Sequence, residues 1–313
     1  MVVRTDVLVD LALVAVAVVG LWYGALQFVR GAGRIARRLR LPGLVVGLTV
    51  VAFGTSAPEF AVTLDAALAA KSDISVANVV GSNVVNLGFI LGGVALVREL
   101  PTSQDLVRRD SVTLLGATVL VFALLWDLRL SRLEGGLLLA LLAAYLFVLV
   151  RTGSGSLRPE ERAPVAFQWT DVVRLVGGLA IVVAGAHLLV LAASNLARDA
   201  GVSEWAIGVT IVAAGTSMPE FATSMVAVRR GRTGISAGNL VGSCVFNFLG
   251  VLGLAALVRP LPVANTAIES MAWLLGIVLV VTVLFWSRNV LSRLEGGLLV
   301  GLNAINWVVD FLP

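Results

Sequence analysis

Two stretches of this sequence say nearly the same thing. Residues 47–60 read GLTVVAFGTSAPEF and residues 208–221 read GVTIVAAGTSMPEF, an offset of 161 with ten of fourteen positions identical. The same offset carries VVGSNVVN (79–86) onto LVGSCVFN (240–247), and LSRLEGGLL at 130–138 recurs unchanged at 291–299. One structural unit is used twice, which restricts the fold to an architecture with internal pseudo-symmetry. Each copy also sets a glutamate, Glu59 or Glu220, inside an apolar segment. Repeated units with acids in apolar surroundings point to a membrane protein and an ion pathway.

Composition agrees. The chain of 313 residues is 58% hydrophobic and 13% charged, against about 25% charged in a soluble domain. Its mean hydropathy is +0.98. The net charge of +4 comes from arginines placed between apolar runs, which suits membrane topology and leaves no basic domain for nucleic acid. Cys244 is the only cysteine, so neither an internal disulfide nor a multi-cysteine metal site is available. His187, the only histidine, sits in an apolar run and reads as a packing residue. The apolar run that continues to Val29 is too long for a cleavable signal core.

A crossing takes about 20 apolar residues. The sequence yields spans near 8–29, 43–69, 74–97, 111–126, 133–150, 172–194, 205–228, 235–257, 271–287 and 295–312. The expected fold class is an all-α polytopic membrane protein with ten transmembrane helices in two inverted five-helix repeats. The first repeat covers 1–150, a polar cytoplasmic linker covers 151–168, and the second repeat covers 169–313. An odd number of spans makes the second copy enter the membrane from the opposite side. Six of the 23 basic residues (Arg4, Lys71, Arg129, Arg132, Arg198 and Arg259) then share a face with the termini, and seventeen lie on the other. The positive-inside rule puts the seventeen in the cytoplasm and both termini outside.

Glu59 and Glu220 each follow Gly-Thr-Ser-x-Pro. A lone carboxylate in the bilayer core costs several kcal/mol, ~3 or more, or takes up a proton. No lysine or arginine lies within these segments, so a bound cation is the natural partner. The bland alternative is a pair of protonated, hydrogen-bonded acids. Pro58 and Pro219 break the helices and are expected to free the Gly54 and Gly215 carbonyls. Thr55, Ser56, Thr216 and Ser217 add hydroxyls, though packing or capping is their bland role. The next span offers Ser82, Asn83 and Asn86 in one copy and Ser243, Cys244 and Asn247 in the other. Ser82 and Asn86, four apart, share a helix face, as do Ser243 and Asn247. Gly81 and Gly242 allow close helix approach. These are hard oxygen donors, which favour Ca²⁺ or Na⁺ over Zn²⁺ or Cu⁺. Two carboxylates match one Ca²⁺ or two Na⁺. Asp73 reads as a cap for the helix that follows it, and the Arg132–Glu134 and Arg293–Glu295 pairs read as interfacial anchors.

These motifs, GTSAPE (54–59), GTSMPE (215–220), VANVVGSNVVN (76–86) and AGNLVGSCVFN (237–247), resemble the sodium/calcium exchanger family of calcium:cation antiporters. The likeness covers essentially the whole chain and suggests a compact prokaryotic member. It implies a site midway across the membrane, with Glu59 and Glu220 on Ca²⁺ and shared Na⁺ sites. It implies Na⁺ ligation by Thr55, Ser56, Ser82, Thr216, Ser217 and Ser243, and a central Asn86. It implies carbonyl ligands from Ala52 and Ala213, and two long, poorly packed helices, the first and sixth, that slide across the rest. Several members carry aspartate where this chain has Asn86 or Asn247.

The leading expectation is a transporter, not an enzyme: Na⁺-coupled Ca²⁺ antiport in the prokaryotic cytoplasmic membrane, with Ca²⁺ and Na⁺ as cargo and no cofactor. H⁺-coupled Ca²⁺ exchange is the alternative, and a passive cation channel or ion sensor a more distant one. A monomer is feasible, and a homo-oligomer is left open.

Overall fold

In the bilayer core no water completes backbone hydrogen bonds, so the apolar runs are forced into helices. The computed structural model describes residues 5–39, 41–153, 166, 168–201, 213–288 and 290–311. Its helices are α1 (Thr5–Leu39), α2 (Gly43–Thr55), α3 (Ala57–Leu68), α4 (Ser72–Val97), α5 (Leu106–Asp127) and α6 (Arg132–Gly153). They continue as α7 (Trp169–Asp199), α8 (Ala213–Thr216), α9 (Met218–Arg229), α10 (Thr233–Val258), α11 (Thr266–Arg288) and α12 (Arg293–Phe311). Among the described residues, seven are long and apolar enough to cross a membrane, and eight if the bent pair α2–α3 counts as one span. The protein is thus an all-α polytopic membrane protein. Most of the linker and the start of the seventh expected span, 205–212, lie outside the described residues.

Several helices outrun their hydropathy limits. α1 reaches Leu39 rather than residue 29, and α7 reaches Asp199. The fourth span begins at Leu106 because its charges are paired: Arg109 meets Asp110 at 2.7 Å, and the Tyr145 hydroxyl donates to Asp110 at 3.1 Å. α4 and α10 are the central helices, each 78% buried over its apolar window, while α1 and α7 are only 22% and 28% buried.

Although exposed to the outside, α1 and α7 pack closely on each other. A Cβ on Gly178 would stand 2.8 Å from the Gly24 carbonyl oxygen, so the two backbones touch there. Polar pairs tie both ends. Arg34 meets Asp171 at 2.8 Å, and Asn195 donates to Asp10 at 3.2 Å. The 161-residue offset carries Asp10 onto Asp171 and Arg34 onto Asn195. Poor packing, expected of these helices as a pair, holds only for their outer faces.

Four two-residue strands join the connections. β1 (Leu100–Pro101) pairs antiparallel with β4 (Val290–Leu291), and β2 (Arg129–Leu130) with β3 (Leu261–Pro262). The same offset carries β1 onto β3 and β2 onto β4. Because β1 precedes α5 and β2 follows it, the two ribbons sit at opposite ends of that helix. The left-handed residues Ala70 and Gly231, closing α3 and α9, are another offset pair.

Local chemistry bears on two expectations. Glu134, read as an interfacial anchor, has a capping role: it accepts from the Ser131 backbone and hydroxyl, both at 2.7 Å, and Glu295 repeats this with Ser292. These are capping boxes. Asp73 caps no helix; its carboxylate accepts from the Ala264 backbone at 2.8 Å and ties the α3–α4 turn to the α10–α11 connection.

Candidate ion-binding site

Each Gly-Thr-Ser-x-Pro stretch interrupts a helix. α2 stops at Thr55, Ser56 leaves helical geometry at φ −78°, ψ 9°, and α3 restarts at a 49° angle. Ser217, at φ −87°, ψ 5°, does the same between α8 and α9. Pro58 and Pro219 fall in the first turn of the new helix, where a missing N–H costs nothing. The Gly54 carbonyl is not freed: N–H groups at the cap return to the carbonyls of Ala52 and Gly54. Glu59 and Glu220 lie in the first turns of α3 and α9, where the helix dipole favours a carboxylate.

The breaks place each glutamate against the other copy's serine. Ser56 donates to Glu220 Oε1 at 2.9 Å, and Ser217 donates to Glu59 Oε1 at 3.1 Å. Ser243 adds a donation to Glu220 Oε1 at 3.3 Å, and Ser82 faces Glu59 without closing a hydrogen bond. Thr55 donates to Asn239 Oδ1 at 3.0 Å. All of these side chains are buried, with both glutamates at 0% exposure. The two carboxylates feel each other's charge, and among the described residues no basic side chain pairs with either.

Five oxygens here have no hydrogen-bond partner: Glu59 Oε2, Glu220 Oε2, Ser82 Oγ, Asn86 Oδ1 and Asn247 Oδ1. Buried acceptors of this kind are costly unless something electropositive meets them. Two carboxylates with neutral oxygens fit a hard cation.

The remaining expected residues lie around this centre. Asn86 falls within a π-helical segment of α4, Val85–Ile90, and Asn247 opens the corresponding segment of α10, Asn247–Leu252. Such bulges often mark functional sites. Asn247 donates to Asn83 Oδ1 at 3.0 Å, and Asn83 donates to the Cys244 carbonyl at 3.3 Å. The Ala52 carbonyl already accepts from the Ser56 N–H at 3.0 Å, and the Thr55 hydroxyl approaches it at 3.4 Å. Ala213 opens α8, and Thr216, buried, closes it. Gly242 does bring helices together: a Cβ there would stand 2.7 Å from Leu48 Cα. No described atom lies within 4 Å of the corresponding point at Gly81.

Two residues escaped sequence reasoning. Asn78 donates to the Glu59 carbonyl at 3.3 Å and to Thr63 at 2.9 Å. Asn239 donates to the Glu220 carbonyl at 3.4 Å and to Ser224 at 2.9 Å. The signal was present, since Asn78, Ser82 and Asn86 are spaced by four and share one helix face.

The chain as a whole is similar to known proteins. The profile of the family described as "Sodium/calcium exchanger protein" matches residues 9–151 and 170–310. The inner membrane protein YrbG of Escherichia coli (strain K12) is 34% identical, with 96% of this chain and 98% of YrbG covered. The sodium/calcium exchanger MaX1 of Methanosarcina acetivorans is 31% identical over 83% of this chain and 86% of its own. A solved structure of the sodium-calcium exchanger NCX_Mj superposes with a TM-score of 0.85 at 31% identity, covering 97% of this chain and 99% of that one. The twin broken helices, the paired glutamates and a profile match over both copies lead to one conclusion: this chain belongs to the sodium/calcium exchanger family.

Proposed function

We propose that this protein is a secondary active antiporter that exchanges Ca²⁺ for Na⁺ across a prokaryotic plasma membrane by alternating access. The observation that carries the reading is the reciprocal bonding of Ser56 to Glu220 and Ser217 to Glu59, beside oxygens with no partner of their own. One buried centre thus draws on both copies. In our reading Glu59 and Glu220 ligate Ca²⁺ and share the Na⁺ sites. Thr55, Ser56, Ser82, Thr216, Ser217 and Ser243 serve Na⁺, Asn86 and Asn247 supply central oxygens, and Ala52 and Ala213 offer carbonyls. A load that neutralises the carboxylates permits the change of access, and an empty, doubly charged site resists it.

The finer topology is part of the proposal. Ten spans form two inverted five-helix repeats, 1–150 and 169–313, joined by a cytoplasmic linker at 151–168, with both termini outside. The offset-related ribbons at opposite ends of α5 support the inversion. The arginine bias supports the orientation.

The test is ⁴⁵Ca²⁺ uptake into Na⁺-loaded proteoliposomes, against K⁺-loaded and pH-gradient controls. Uptake is expected to require the outward Na⁺ gradient and to vanish in Glu59→Gln and Glu220→Gln. Uptake driven only by the pH gradient would replace Na⁺ coupling with H⁺ coupling.

A further inference from the structure

On the arginine-rich face, a cavity of about 370 Å³ opens between the last turns of α1, the start of α2, the β1–α5 connection and the start of α10. Arg37 and Arg232 line it. Among the described residues Arg37 has no acidic partner. Arg232 donates to the Val29 carbonyl and fills the space beside Gly33. Burial, and then the neighbouring Arg37, Arg230 and Arg30, hold its guanidinium below the usual arginine range. Thr102, on the wall, is 8% exposed, and its hydroxyl has no hydrogen-bond partner. α10, 26 residues long, starts at the cavity with no side-chain cap. Asp105 is the one carboxylate among the lining residues.

We propose that this cavity binds a phosphate-bearing anion, either a soluble phosphate or the phosphodiester headgroup of an anionic lipid. Guanidinium groups donate in a fork that matches phosphate oxygens. An uncapped helix start presents backbone N–H groups and a positive dipole end to the same ligand. The Thr102 hydroxyl, with no acceptor of its own, donates to a further oxygen. Arg37 belongs to α1 and Arg232 to the α9–α10 turn, and the Arg232 side chain already lies against α1, so a bound phosphate would add a second link between these two segments.

The full-length protein in neutral detergent is titrated at constant ionic strength, free of Na⁺ and Ca²⁺. The probes are inorganic phosphate as a sodium-free salt, dioctanoyl phosphatidylglycerol and dioctanoyl phosphatidylcholine, and the readout is the thermal unfolding midpoint. A saturable rise with phosphate, phosphatidylglycerol or both, and none with phosphatidylcholine, is expected. Phosphate alone acting assigns a soluble ligand, and phosphatidylglycerol alone acting assigns the lipid. Arg37→Gln is expected to weaken apparent affinity about tenfold, the loss of one charge-assisted hydrogen bond. Thr102→Val, nearly isosteric, is expected to weaken it by a smaller factor and serves as an independent variant. No saturable response, an equal response to phosphatidylcholine, or unchanged affinity in both variants overturns the proposal.

Discussion

Asn239 holds the Glu220 carbonyl with one amide hydrogen and Ser224 with the other, and its own oxygen accepts from Thr55. It therefore links both broken helices without carrying charge. Asn239→Ala is expected to raise the Ca²⁺ concentration for half-maximal uptake by about tenfold, since each buried partner left unsatisfied costs ~1–3 kcal/mol. The ⁴⁵Ca²⁺ saturation curve measures this. Asn247 permits a sharper test. Its amide donates to Asn83, a donation that an aspartate makes only while protonated. Asn247→Asp is expected to bring a pH dependence that the native residue lacks, with uptake falling as pH rises and the carboxyl ionises. A flat profile between acid and alkaline buffers would refute it. The glutamates, hydroxyls and Asn86 were legible in sequence because they recur at a fixed offset in apolar surroundings. Asn78 and Asn239 were equally repeated, but their partners are backbone carbonyls and hydroxyls between 15 and 184 residues away along the chain, which spacing alone does not reveal.

α2 crosses α10 where Gly47 and Gly238 meet. A Cβ on Gly238 would stand 2.5 Å from the Leu44 carbonyl oxygen and 3.0 Å from the Leu48 nitrogen. Backbone cannot give way as a side chain can. Gly238→Val is expected to push α2 off α10 and to lower the thermal unfolding midpoint in detergent, with uptake lost alongside. A folded, active Gly238→Val would show that this contact is dispensable. Helix existence was readable from hydropathy, because the bilayer leaves few alternatives. Helix ends were not, because Arg109 and Asp110 neutralise each other inside a helix whose charges argued for a later start. The Ser-x-x-Glu caps at Ser131 and Ser292 carried a sequence signature that the flanking arginines obscured. The π-helical turns at Asn86 and Asn247 carry no signature that hydropathy or spacing reads.

Across the whole molecule, the looseness of α1 and α7 towards the outside contrasts with their tight mutual contact. If they shift together, a link between them is harmless, and a link from α1 to the α9–α10 turn is not. Cross-linking cysteines at Arg34 and Asp171 is expected to leave most Ca²⁺ flux intact. Cross-linking cysteines at Val29 and Arg232, which touch in this conformation, is expected to stop it. Equal inhibition by both links would argue against joint movement. The reciprocal bonding of serine and glutamate also bears on ancestry. A half-length chain with this motif owns one carboxylate and the serine meant for another's, so alone it has no centre. Two such chains together would complete it, and fusion of their genes would turn an equilibrium between separate molecules into a permanent covalent partnership.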